Sequence, residues 1–158
     1  MNKLPSTCLL GLRLLFGGVL IALGGSHSWG AGVADLTYVN HGTHIEITDC
    51  LLTATGKLNI PETLEGLPVT TIGNSAFMEC AGLTSVTLPG SLTTIGAYAF
   101  RECNGLTSIY IPDSVSSMDL QAFNRCGNLQ QVRLSESLTS IQRNTFGYCY
   151  SLESITIP

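Results

Sequence analysis

The stretch "AFRECNGLTSIYIP", Ala99 to Pro112, has a near copy 23 residues upstream, "AFMECAGLTSVTLP" at Ala76 to Pro89, and two looser copies downstream. Aligned on Phe77, the phenylalanine returns at Phe100, Phe123 and Phe146. Cys80, Cys103, Cys126 and Cys149 keep that spacing, as do Leu83, Leu106, Leu129 and Leu152. Two further apolar columns run Val86, Ile109, Val132, Ile155 and Leu88, Ile111, Leu134, Ile157, and a sixth runs Ile72, Ile95, Met118, Ile141. A fixed period of about 20 to 50 residues marks solenoids and propellers, and 23 falls in the leucine-rich range.

Within one unit, Val86 and Leu88 alternate with Thr87, the spacing of a strand with one buried face. Pro89 ends that strand, "SLTTIG" supplies a second short one, and "AYAFREC" shifts to helical-turn spacing with Phe100 and Cys103 three apart. A single unit cannot fold alone. Its roughly seven apolar side chains contribute about 1.5 to 3 kcal/mol each when buried, against about 1 to 2 kcal/mol per ordered residue. Stacking closes the deficit, because each coil seals the apolar face of the next and shares backbone hydrogen bonds with it. The expected fold is therefore an α/β repeat: a leucine-rich-repeat solenoid of about four 23-residue coils, each with short parallel strands and a single helical turn.

Residues 1–34 read as an export signal. Lys3 and Arg13 precede the apolar run "LLFGGVLIAL", followed by Gly24-Gly25 and a small-residue zone with cleavage expected between Gly30 and Ala34. Ten apolar residues are too few to span a bilayer, which takes about twenty. Residues 35–57 are expected to cap the solenoid, with "LTYVNHGTHIEIT" forming a β-hairpin around Asn40-His41-Gly42. Residues 58–158 form the solenoid, with Leu58 and Ile60 entering the Val86 and Leu88 columns and "ETLEGLPV" adding a surface loop. The chain stops at a repeat boundary, which leaves open that the solenoid is part of a longer protein.

The pattern A-F-x-x-C-x-x-L-x-x-V/I-x-L/I-P-x-S-L/V-x-x-I-G, seen at Ala76 to Gly96 and Ala99 to Ile111, resembles the BspA-like leucine-rich repeats of bacterial surface antigens. The resemblance covers about Leu58 to Pro158. Departures gather toward the C-terminus, where Asp119 and Gln142 replace the glycines of Gly73 and Gly96, Ser135 replaces the proline and Thr145 the alanine. The resemblance implies a secreted or surface-displayed, non-enzymatic protein engaged in adhesion to protein or polysaccharide. It carries over scaffold residues only and names no binding residue.

From Asp35 onward there are eleven acidic and five basic residues, a net charge of −6, and no Lys/Arg cluster. That balance argues against nucleic acid and anionic membrane as partners. The cysteine column lacks the tight pairs of zinc sites, and in-register thiols about one coil apart exceed the Cβ separation of a disulfide. It reads as a buried structural ladder together with the phenylalanines, and Cys50 could join it only if the cap folds back. His41, His44 and Glu46 form the one metal-like cluster, which an exposed hairpin explains equally well. Without a nucleophile elbow, a phosphate-cradling glycine loop or paired carboxylates, neither catalysis nor a cofactor is expected. Recognition falls instead to outward positions: Tyr110 and Arg133 beside the buried strand residues, and Arg101, Arg125, Tyr148 and Tyr150 on the helical edge. Tyr and Arg are the residue types enriched in binding hot spots. The rival expectation is a purely structural repeat segment of a larger exported protein.

Overall fold

A computed structural model describes residues 19–21 and 31–158, so the export-signal reading falls largely outside the described residues. Strand β1 (Val19–Ile21) lies antiparallel to β2 (Leu36–Asn40), and β2 forms an antiparallel hairpin with β3 (Ile45–Cys50). The hairpin alternates inward Leu36 and Tyr38 with inward Ile45 and Ile47, so one face is apolar and buried. Asn40 closes the turn by accepting from the Gly42 N–H at 2.7 Å, with Gly42 at φ +81°.

The solenoid then runs through β4 (Gly56–Asn59), β5 (Thr63–Leu64), β6 (Leu67–Ile72), β7 (Leu83–Thr87), β8 (Thr94–Ile95), β9 (Ser108–Tyr110), β10 (Ser117–Met118), β11 (Gln131–Arg133) and β12 (Ser154–Thr156). The strands form parallel ladders on different sides of the coil. One continues the hairpin as β3, β6, β8 and β10; the others pair β4 with β7 and β9 with β11 and β12. The cap is thus a strand of the first ladder: Ile47 pairs with Ile72, and the Gly73 N–H donates to the Ile47 carbonyl at 2.8 Å. Register follows the repeat, with Leu58 opposite Val86 and Ile109 opposite Val132 opposite Ile155. The five extra residues after Pro61 are a small hairpin, β5 against β6, turning on Glu65 and Gly66 at φ +53° and +78°.

The core is the set of columns read from the sequence. Phe77, Phe100 and Phe123 have no exposed surface, and the phenylalanine rings stack in parallel at 4.8, 5.0 and 5.7 Å. Those spacings are set by the rise between coils, so each ring fills the floor of the next. In the last coil the columns open outward, with Ile155 38 % and Ile157 73 % exposed.

The solenoid is as expected, but its helical turn takes another form. The segment around each phenylalanine is a chain of i→i+3 turns, such as Met78 N–H to Ser75 O and Cys80 N–H to Phe77 O. Among the described residues the one helix is a 3-10 turn at Val33–Asp35. The reason lies in two columns of left-handed residues that break any regular helix. Ser75, Tyr98, Gln121 and Asn144 have φ between +54° and +59°, and Glu79, Glu102, Arg125 and Tyr148 between +60° and +64°. Inter-coil hydrogen bonds hold them there, including Gln121 N–H to Arg143 O and Glu102 N–H to Asn124 O.

The departures from the repeat are absorbed locally. Ser135, in the proline column, donates its hydroxyl to Val115 O at 2.6 Å, and Thr145 donates to Gln142 O at 2.7 Å. At Gly96 a Cβ would lie 2.8 Å from the Gly73 carbonyl carbon, so the early coils need glycine there. The ladder of short second strands ends at β10, and the coil carrying Gln142 leaves Ile141 exposed.

Two stability outcomes follow. Phe100→Ala removes the ring shared by three coils and should cost about 3 to 5 kcal/mol in denaturant unfolding; a loss below about 1 kcal/mol would contradict the stacked core. At Gln121, a β-branched valine should lose about 1 to 2 kcal/mol, because L side chains resist the left-handed region. Gln121→Gly should be neutral or slightly stabilising in the same assay.

Candidate ligand-binding site

The parallel register of β9, β11 and β12 fixes the outward side chains in two rows. Tyr110, Arg133 and Thr156 form one row and Ser108, Gln131 and Ser154 the other. Together these six line an open depression of about 210 Å³. The Arg133 guanidinium lies over the Tyr110 ring, 4.7 Å from its centroid. Its Nη1 and Nη2 donate to the two Asp113 carboxylate oxygens at 3.1 and 3.3 Å, and Nη2 lies 3.8 Å from Glu136. Asp113 is itself held, accepting from the Glu136 N–H at 3.2 Å, while its carbonyl accepts from the Ser137 hydroxyl at 2.6 Å.

This arrangement limits the chemistry of the depression. One cation faces two carboxylates, so the local balance is negative and the guanidinium is already engaged. Hydrogen bonding from Arg133 and from the Glu136 N–H holds the Asp113 carboxyl below its ordinary range. What remains free is a tyrosine that is half exposed, framed by hydroxyls and an amide.

The second group of outward residues lies on the turn edge and forms one continuous ribbon. Arg101 sits 5.8 Å from the Tyr98 centroid and donates to Glu102 at 3.0 and 3.2 Å. Arg125, one coil on, donates to the same Glu102 oxygen at 3.2 Å and lies 5.7 Å from the Tyr148 centroid. Tyr148 meets Tyr150 edge to face at 6.2 Å. The left-handed backbone at Glu102, Arg125 and Tyr148 aims these side chains the same way in successive coils. The structure therefore brings Arg101, Arg125, Tyr148 and Tyr150 together on one edge and places Tyr110 and Arg133 together on the sheet face.

Sequence reasoning missed the acidic partners. Glu102 precedes Arg125 by 23 residues, so that pairing lies within one column of the repeat, whereas Asp113 and Arg133 stand 20 apart in different columns. It also missed Glu65, which accepts from Tyr38 at 3.3 Å and from Asn40 at 2.6 Å and ties the inserted hairpin to the cap.

The other candidates have local explanations. His41 stacks on His44 at 4.7 Å and pairs with Glu46 at 3.0 Å, while His44 contacts the Thr43 hydroxyl. Among the described residues no group of three or more His, Cys, Asp or Glu is arranged to hold a metal ion. The ladder thiols of Cys103, Cys126 and Cys149 donate to the carbonyls of Phe77, Phe100 and Phe123 at 3.0, 3.0 and 3.1 Å. Burial pushes the Cys103 thiol up, which keeps it protonated and unreactive.

With coil, register and surfaces described, the architecture defines a leucine-rich-repeat solenoid. The family model of the BspA-type leucine-rich repeat region matches residues 52–158 in six copies, and the chain belongs to that family. A leucine-rich repeat protein from Bacteroides capillosus is 26 % identical, with a TM-score of 0.70 over 83 % of this chain and 99 % of its own. The T. pallidum leucine-rich repeat protein is 28 % identical, with a TM-score of 0.64 over 78 % of this chain and 69 % of its own. A leucine-rich cell surface protein from Faecalibacterium prausnitzii shares the fold at 19 % identity and a TM-score of 0.66, over 79 % of this chain and 38 % of its own. None of the curated proteins is significantly similar in sequence.

The clamp around Arg133 gives a pH signature. Because the folded pKa of Asp113 is lowered, its contribution is complete above the ordinary aspartate value of about 3.9 and is lost as pH falls through the lower folded value. Asp113→Asn should flatten that part of the acid limb in a melting-temperature series from pH 7 to pH 2. An unchanged acid limb would mean that the pair does not hold in solution.

Proposed function

We propose that the protein is an exported, cell-surface, non-catalytic scaffold of adhesion type, which binds an extracellular protein or polysaccharide on the face centred on Tyr110. The observation that carries this reading is the fixed Tyr110–Arg133 pair over the depression on β9, β11 and β12. An exposed aromatic ring held by a guanidinium and two carboxylates is pre-ordered, so binding costs little side-chain entropy. The non-catalytic part of the reading is supported by the pairing of the site's charges with one another and by thiols committed to backbone carbonyls. Export is supported by the N-terminal run of basic, apolar and small residues.

The test is an array of extracellular matrix proteins and neutral and acidic polysaccharides, probed at two salt concentrations with wild type and Tyr110→Ala. Saturable binding that falls about tenfold or more in Tyr110→Ala, with an unchanged melting curve, is the expected result; a loss of that size matches an aromatic hot spot. Arg133→Ala is the poorer probe, since it also breaks the contact with Asp113 across coils. A folded wild type that binds nothing on the array would shift the reading to a structural repeat segment.

A further inference from the structure

Three ladder cysteines make the same contact, an S–H donated to the phenylalanine carbonyl of the preceding coil at 3.0 to 3.1 Å. Cys80 is the exception. No phenylalanine coil precedes it, and its Sγ lies instead 3.6 Å from the Cys50 carbonyl and 4.0 Å from the Leu51 carbonyl. Cys50 comes from the hairpin cap, outside the 23-residue repeat, and its own Sγ lies 3.8 Å from the same Leu51 oxygen. Two sulfurs 30 residues apart thus converge on one carbonyl, and both residues are buried, at 2 % and 0 % exposure.

We propose that Cys50 and Cys80 form a disulfide that fastens the cap to the first coil. The other neighbouring pair would give up more on bridging. Cys126 and Cys149 also hydrogen-bond thiol to thiol, and they occupy equivalent positions in adjacent coils whose phenylalanine rings stack 5.7 Å apart. Each also holds a short bond to a buried carbonyl that bridging would break, whereas Cys50 and Cys80 give up only contacts of 3.6 Å or more.

The oxidant is an external disulfide, either a small-molecule one such as oxidised glutathione or a protein carrier. Either cysteine can open the exchange: the thiolate of one, such as Cys80, attacks a sulfur of the oxidant, forming a mixed disulfide and releasing the first thiolate. Cys50, deprotonated, attacks the Cys80 sulfur of that mixed disulfide and releases the second. Two protein thiols lose two protons and two electrons in all, and the oxidant is reduced to two thiols. Since both residues are buried in the folded protein, the exchange takes place as the chain folds, before the Leu51 turn closes over them.

For its compartment the inference rests on the export reading, but the chemistry can be tested apart from it. The full chain is unfolded with reductant, refolded in a glutathione redox buffer, alkylated and mapped by mass spectrometry. The expected product links the Cys50 and Cys80 peptides and leaves Cys8, Cys103, Cys126 and Cys149 alkylated. Reductant should then lower the wild-type melting temperature by several degrees, and it should not shift Cys50→Ala or Cys50→Ser. Six alkylated thiols after oxidative refolding, a link among the ladder cysteines, or a melting temperature indifferent to reductant would each overturn the proposal. A disulfide that forms without any ligand being found would leave it standing and count only against the adhesion reading.

Discussion

The constraint on which everything else depends is the closure of each coil on the one before it at a fixed 23-residue register. Three kinds of contact enforce it together: the stacked phenylalanines, the parallel strand ladders, and the cysteine thiols that satisfy the phenylalanine carbonyls of the previous coil. The last explains why cysteine occupies that column. The position is buried in the first three repeats and faces a carbonyl that already accepts one backbone N–H; a thiol is a small apolar group whose weak donor adds a second bond. Alanine would keep the backbone bond but lose the one across coils.

The same closure decides where recognition can occur. Backbone groups are consumed by the neighbouring coils, and inward side chains are consumed by the core, so only the outward rows are free to vary without loss of fold. Their spacing along the axis is set by the coil rise, and their direction by strand pleat on one side and by left-handed turns on the other. Side chains presented in this way need no ordering when a partner arrives. The cost is that outward charges also pair with each other across coils, as Arg125 does with Glu102 and Arg133 with Asp113.

How much of this was legible follows from which interactions are periodic. The six columns, the strand register and the entry of Leu58 into the Val86 column could be read because burial repeats in phase with the sequence. The turn conformation could not, since Gln121, Glu102 and Arg125 carry no glycine-like signal at their positive φ angles; inter-coil backbone bonds impose that geometry whatever the side chain. The inserted segment after Pro61 was legible as an insertion but not as a hairpin, although Glu65-Gly66 lies between Leu64 and Leu67. The pairing of Arg133 with Asp113 escaped because it joins residues 20 apart, one strand and one loop, rather than residues in the same column. Cys50 was legible only as a residue that would join the ladder if the cap folded back, and the way the cap joins the first ladder brings it beside Cys80.

The two outward surfaces differ in a way that sequence position alone would not suggest. On the turn edge two guanidiniums share the Glu102 carboxylate, with Glu79 one coil earlier in the same column and Tyr148 and Tyr150 exposed beside them. On the sheet face one guanidinium is shared by two carboxylates, and the excess is negative. The acidic excess on the face disfavours an anionic ligand there, whereas a neutral ligand that gains from contact with an aromatic ring meets no such bias. Tyr110 belongs to the face and meets Arg133 through its ring rather than through an ion pair, so its truncation leaves the Arg133–Asp113 contact across coils in place.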